Sequence, residues 1–132
     1  LLNAPSISLV PPGSNVSVIV ADRNRSVAEL LQRIVLETTG RAAYALSPSE
    51  DLVEAVSAGS DLVLLLVEAE PYMPERLSAV RQLRAMKPEL PVAIASFSDG
   101  ARLAEELGCP EWLEKPFDLE AVQALLRKYL GS

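Results

Sequence analysis

The sequence predicts an α/β domain built on a doubly wound parallel sheet of five strands. Three observations point there. Short apolar or β-branched runs alternate with segments of helical spacing along the chain. One run, Leu62 to Val67, is apolar at every position, as a central strand covered on both faces must be. Helix start and stop signals recur between the runs, so each strand is followed by a crossover helix, which makes its neighbours parallel.

Each element has its own reason. Leu1 to Asn15 holds Pro5, Pro11, Pro12 and Gly13 and is expected to be a flexible tail or linker. The domain is expected to run from about Val16 to Leu130. Val16 to Ala21 is a β-branched run and predicts the first strand. Ser26-x-x-Glu29 has capping-box spacing, and Val27, Leu30, Leu31, Ile34 and Val35 follow at helical spacing, with Gly40 as the stop. Ala42 to Leu46 predicts a weaker second strand. Ser47-Pro48-Ser49-Glu50 predicts a helix start, with Ser as the cap and Pro in the first position, and Gly59 as the end.

Leu62 to Val67 is the third strand. Pro74 opens a helix to about Met86, with Leu77, Val80 and Leu83 turned inward, and Pro88 lies beyond its end. Val92 to Ser96 predicts the fourth strand, and Asp99 to Leu107 a short helix closed by Gly108. Glu111 to Glu114 predicts a brief fifth strand. Asp118 caps a last helix that turns Leu119, Val122, Leu125, Leu126 and Tyr129 inward. Right-handed crossovers leave few topologies, and the flavodoxin-like order 2-1-3-4-5 fits best. Sites in such sheets form at the carboxyl ends of the strands, which here carry Ala21, Asp22, Leu66 to Glu70, Ser96 and Lys115.

Composition narrows the function. The chain has 132 residues, 49% hydrophobic and 23% charged, which suits one globular domain. Its formal net charge of −6 lacks the cation excess that phosphate backbones require, so direct nucleic-acid binding is not expected. No apolar run reaches the length of a membrane span, and no signal peptide is expected. The chain opens at Leu1 without Met, as expected of a piece of a longer protein. A single cysteine, Cys109, fits a reducing cytoplasm and reads as a small apolar residue. With no histidine, a Ser-His-Asp or Cys-His hydrolase is excluded within this chain.

Three segments resemble bacterial response-regulator receivers of the CheY-like type. Val18-Ile19-Val20-Ala21-Asp22 looks like the first strand and its acidic pair. Asp61-Leu62-Val63-Leu64-Leu65 looks like the strand leading to the phosphoacceptor. Trp112-Leu113-Glu114-Lys115-Pro116-Phe117-Asp118 looks like the fifth strand, the Lys-Pro pair and the start of the last helix. Pro91 to Ser96 fits the fourth strand, ending on the hydroxyl position. The resemblance implies a pocket in which an Asp takes a phosphoryl group, two acids hold Mg²⁺, and Lys115 and Ser96 meet phosphoryl oxygens.

The sequence departs from that pattern at two places. Ala21 replaces the first acid, leaving only Asp22. The phosphoacceptor position falls on Leu66 when counted from Asp61, or near Glu68 when counted back from the third helix; neither is Asp. The implied pocket, of Ala21, Asp22, Leu66 or Glu68, Ser96 and Lys115, is therefore vestigial. No catalytic residue, metal or cofactor is expected in it. Lys115 without a phosphoryl partner is expected to pair with Asp22, Glu68 or Glu70 in an open pocket, where such a pair is worth about 0–1 kcal/mol. Asp22 also reads as a turn or helix cap, and Ser96 as a partner of nearby backbone.

The stretch between Ser96 and Trp112 is short for the family, so the face around the fourth helix and fifth strand is expected to be reshaped. Trp112, the only tryptophan, marks a candidate interaction surface there. These features imply a non-phosphorylatable signalling module, not an enzyme, in a two-component-type pathway. Its expected partner is another signalling protein or a second copy. One alternative is a receiver phosphorylated at an unorthodox acid such as Glu68. Another is a flavodoxin-like ligand-binding domain. Asp22-Arg23-Asn24-Arg25-Ser26 offers no Gly for a flavin phosphate loop, and no His is present for a cobalamin.

Overall fold

A computed structural model describes residues 16–59 and 61–131. The tail expected over Leu1 to Asn15 lies outside the described residues. Ten elements alternate: β1 Val18–Ala21, α1 Arg25–Thr39, β2 Ala43–Ala45, α2 Leu52–Ala58, β3 Leu64–Glu68, α3 Pro74–Met86, β4 Val92–Ser96, α4 Gly100–Leu107, β5 Glu111–Glu114 and α5 Leu119–Leu130. All strand pairs are parallel, in the order β2-β1-β3-β4-β5. The doubly wound 2-1-3-4-5 sheet is therefore the observed fold. β2 and β5 form its two edges.

Strand alternation divides the core into two layers. Val18, Val20, Leu64, Leu66, Ala93 and Leu113 face one way, against Ala28, Leu31 and Val35 of α1 and Val122, Leu125 and Leu126 of α5. Ile19, Ala21, Leu65, Val67 and Ile94 face the other way, against α2, α3 and α4. Every residue of β1, β3 and β4 is buried. Gly40 and Gly108 close α1 and α4 with φ of 73° and 71°, a conformation that costs a glycine little and a β-carbon much.

Some boundaries differ from the sequence reading, each for a local reason. Asn24, not Ser26, caps α1, its side chain accepting from Ser26 N and Val27 N. Glu29 instead pairs with Arg25 one turn away. Leu30 is exposed, and the buried residues of α1 are Ala28, Leu31 and Val35. Ser47-Pro48-Ser49-Glu50 forms a separate turn. The Glu50 carboxylate accepts from Ser47 N at 2.7 Å and also takes the Tyr44 hydroxyl, so the chain turns once before Asp51 caps α2.

β3 begins at Leu64 and ends at Glu68, later than expected at both ends. Val63 N and Leu64 N both donate to Ser17 O, which sets where the chain enters the sheet. Asp118 caps α5 as expected, but Leu119 is exposed. Among the described residues, no helix is long and apolar enough to cross a membrane.

Candidate functional site

The parallel pairing carries the ends of β1, β3, β4 and β5 to one edge of the sheet, and their polar residues meet there. Asp22 follows β1, Glu68 ends β3, Ser96 ends β4 and Lys115 follows β5. All four are buried, as is Glu70. Lys115 N donates to Ser96 O, which continues the ladder one residue past β5 and places the lysine stem over the sheet end. The Lys115–Pro116 peptide bond is cis.

Two carboxylates hold the lysine. Lys115 Nζ donates to Asp22 Oδ2 at 2.8 Å and to Glu68 Oε2 at 3.4 Å. Its ammonium also lies 4.8 Å from the centre of the Phe97 ring. Asp22 does two jobs: its other oxygen, Oδ1, accepts from Asn24 N at 2.8 Å and shapes the turn into α1. The pair is not the open, weak contact expected from sequence. The Lys115 and Asp22 side chains are only 3% and 2% exposed.

Glu68 also binds the β1–α1 loop. Its Oε1 accepts from Arg23 N at 2.9 Å and Arg23 Nε at 3.2 Å, and Oε2 accepts from Arg23 Nη2 at 3.2 Å. Burial pushes the Glu68 carboxyl up, but the Arg23 hydrogen bonds and the nearby charges of Lys115 and Arg23 outweigh it and hold the group below its ordinary value. The same contact, with help from Tyr72, raises the Arg23 guanidinium. Tyr72 lies under that guanidinium at 5.8 Å.

Glu70 makes a second clamp. Its Oε1 accepts from the Ser96 hydroxyl at 2.7 Å and the Ser98 hydroxyl at 2.8 Å, and Oε2 accepts from Phe97 N at 2.7 Å. Burial raises this carboxyl and the donors lower it; the donors prevail. Ser96 Oγ in turn accepts from Ser98 N and Asp99 N, so it caps the entry to α4 that the Asp99 side chain leaves uncapped.

The structure therefore brings together Asp22, Glu68, Ser96 and Lys115, with Ala21 buried at the end of β1 beneath them. It does not bring Leu66, which points into the α1–α5 layer. Of the two registers left open by the sequence, Glu68 takes the strand-end position. Glu70 is on the hydroxyl side of the site and not on Lys115.

Sequence reasoning missed Arg23, which ties the β1–α1 loop to Glu68; its signal was charge balance, since the strand-end acids Asp22 and Glu68 share a single lysine. These residues do not fit a magnesium ion. Ala21 offers no oxygen from its side chain, Asp22 Oδ2 faces an ammonium, and both Glu68 oxygens face cations.

Trp112 stands apart from this pocket. The residue is 44% exposed on the edge strand, and its indole lies against Gly100 of the short α4, where an added Cβ would lie 3.2 Å from the indole edge. Phe97 and Leu119 are also large and exposed. Cys109 is buried, and burial raises its thiol to about 11, so it stays protonated.

No protein-family model matches the chain, and no curated protein matches it. Solved structures do. A response regulator receiver protein from Pseudomonas putida is 22% identical, with a TM-score of 0.68 over 88% of this chain and 98% of that one. An atypical orphan response regulator, described as having a phosphorylation-independent regulatory mechanism, is 18% identical, with a TM-score of 0.69 over 87% and 95%. A co-crystal structure of Saccharomyces cerevisiae Ypd1, a histidine phosphotransfer protein, with the receiver domain of Ssk1 matches at 15% identity and a TM-score of 0.69 over 92% and 91%. The chain has the fold of response-regulator receiver domains.

Proposed function

We propose that this chain is a non-catalytic signalling module of receiver type that works without accepting a phosphoryl group and acts by binding another signalling protein or a second copy of itself. One observation carries the reading. The two groups that would meet phosphoryl oxygens are already held by the chain's own carboxylates, Lys115 by Asp22 and Glu68, and Ser96 by Glu70. Glu68, at the acceptor position, has both oxygens engaged by cations, which withdraws the electron density a nucleophile needs. The pocket is thus vestigial as a phosphorylation site and serves as a structural ion cluster.

The likeness to the phosphorylation-independent orphan regulator supports this reading, and the Ssk1 receiver crystallised with Ypd1 supports a protein as partner. The exposed Trp112, on a strand edge beside a short helix, supports the surface around β5 and α5 as the contact. The net charge of −6 argues against nucleic acid as partner, and the single buried cysteine accords with a cytoplasmic setting.

The test is incubation with acetyl phosphate and Mg²⁺, followed by intact mass. The mass is expected to stay unchanged. A stable adduct of one phosphoryl group on Glu68 or Glu70 would overturn the proposal and establish the unorthodox acid instead.

A further inference from the structure

The negative charge of the chain is not spread evenly. Phe97 to Glu120, the segment from the end of β4 to the start of α5, holds seven carboxylates and two cations; the rest of the chain holds eleven and ten. Both cations of the segment are already engaged. Arg102 pairs with Asp99 and Glu106 on α4, and Lys115 is buried on Asp22 and Glu68. Lys128, from the end of α5, is taken by Glu111. Glu105, Glu114, Asp118 and Glu120 are exposed and have no cation partner among the described residues.

The same segment carries exposed aromatic surface. Leu113 faces the α1–α5 layer, so its neighbours Trp112 and Glu114 share the other face of β5, on the α4 side. Gly100 lets α4 lie close against one edge of the indole, which holds the ring while much of the residue stays open. Ser96 pairs with Glu114, so the exposed Phe97 leaves β4 at the Glu114 end of β5. An aromatic ring already fixed by packing loses little freedom when something docks on it, which suits it as an anchor.

We propose that the face of Phe97, Trp112 and Glu114 receives a basic amphipathic helix of a different protein, with apolar residues on the indole and Lys or Arg against the carboxylates. This rests on the protein-binding role proposed above and adds the chemistry of the partner. A second copy is the wrong occupant. In a two-fold pair the patch meets itself, and unpaired carboxylates would be set against unpaired carboxylates. An added strand is also wrong, because β5 has four residues with a carboxylate at each end. A helix needs no backbone ladder, and it can place apolar anchors and flanking cations on adjoining faces.

The experiment titrates the full chain, by calorimetry, with two synthetic helices of about 18 residues that share one Leu stripe. One has Lys at the polar positions and the other Glu. The Leu/Lys helix is expected to bind saturably and more weakly as salt rises, and the Leu/Glu helix not to bind. Trp112→Ala is expected to weaken the binding about tenfold or more, and Glu114→Lys about fivefold. Glu37→Lys makes the same charge change on the exposed side of α1 and is expected to leave binding unchanged. Circular dichroism establishes that each variant is folded. No saturable binding of the Leu/Lys helix, equal binding of the Leu/Glu helix, or equal weakening by Glu37→Lys and Glu114→Lys would overturn the proposal. Sedimentation of the chain alone is expected to give a monomer. A dimer dispersed by Trp112→Ala would put a second copy on this face and overturn the basic partner, while the signalling role stands. Repeating the titration with acetyl phosphate and Mg²⁺ separates the two proposals: equal binding is expected, and a phosphoryl adduct with unchanged helix binding would overturn the phosphorylation-independent reading alone.

Discussion

Lys115 Nζ lies 2.8 Å from Asp22 Oδ2, joining positions 93 residues apart, and both side chains are almost wholly withdrawn from water. A buried pair of this kind costs desolvation at both ends, so its value lies in not being broken. Lys115→Ala is therefore expected to destabilise the domain by about 3–5 kcal/mol, because Asp22 keeps a buried charge without its counter-ion. Asp22→Asn combined with Lys115→Ala is expected to recover part of that loss, since no uncompensated aspartate charge is then left. Urea unfolding of the two single variants and the double variant measures the coupling. A loss for Lys115→Ala within the range of an exposed pair would contradict the buried geometry.

Glu70 ties three donors of the β4–α4 loop to one carboxylate. Glu70→Ala strands Phe97 N and two serine hydroxyls, and a loss of about 2–3 kcal/mol is expected. Amide exchange at Phe97 and through the first turn of α4 is expected to quicken more than exchange in β1. Uniform quickening across the sheet would mean that the clamp is not local.

Acid should loosen the same end of the sheet. Glu68 and Glu70 both sit below the ordinary glutamate value of 4.5 in the folded chain. The unfolded chain therefore takes up these protons first as pH falls. Their stabilisation is complete above about pH 4.5 and is lost as pH drops through the depressed folded values. Thermal midpoints against pH are expected to be level above that point and to fall below it. Glu70→Gln is expected to make the fall shallower, and a slope equal to wild type would remove Glu70 from the account.

Trp112 separates folding from binding. Its half-exposed indole on an edge strand predicts a cost below about 1 kcal/mol for Trp112→Ala, as for most surface substitutions. A central tryptophan at an interface commonly carries about 2 kcal/mol or more. Sedimentation or pull-down with the folded variant is expected to show weakened association, unaffected by Mg²⁺ or phosphodonor. Unchanged association would place the contact elsewhere, with the face of α1 next.

Fold and site were legible to different depths. Strand order, the ends of β4 and β5, and the start of α3 followed from apolar runs and from Pro74, because one local signal decided each of them. Ser47 and Ser26 misled because a cap motif specifies a turn, and Tyr44 and Asn24 decided which turn became the helix entry. Leu66 and Glu68 could not be told apart by counting, since the choice rests on Leu64 pairing with Val18 across the sheet. Asp22 and Glu68 were foreseen as Lys115 partners, but Glu70 was not separated from them, since its place on Ser96 and Ser98 rests on the course of the loop after β4; the burial of the pair was not foreseen either.

The sheet's two borders have a consequence for assembly. β2 offers three residues and β5 four, and Glu111 and Glu114 bracket the latter, with Pro116 shortly beyond. Borders this short, one of them flanked by carboxylates, give a neighbouring chain little backbone to template on. Copies of the domain that meet are therefore expected to recognise one another by side-chain relief and not by extending a common ribbon. Such recognition can be tuned, or abolished, one residue at a time.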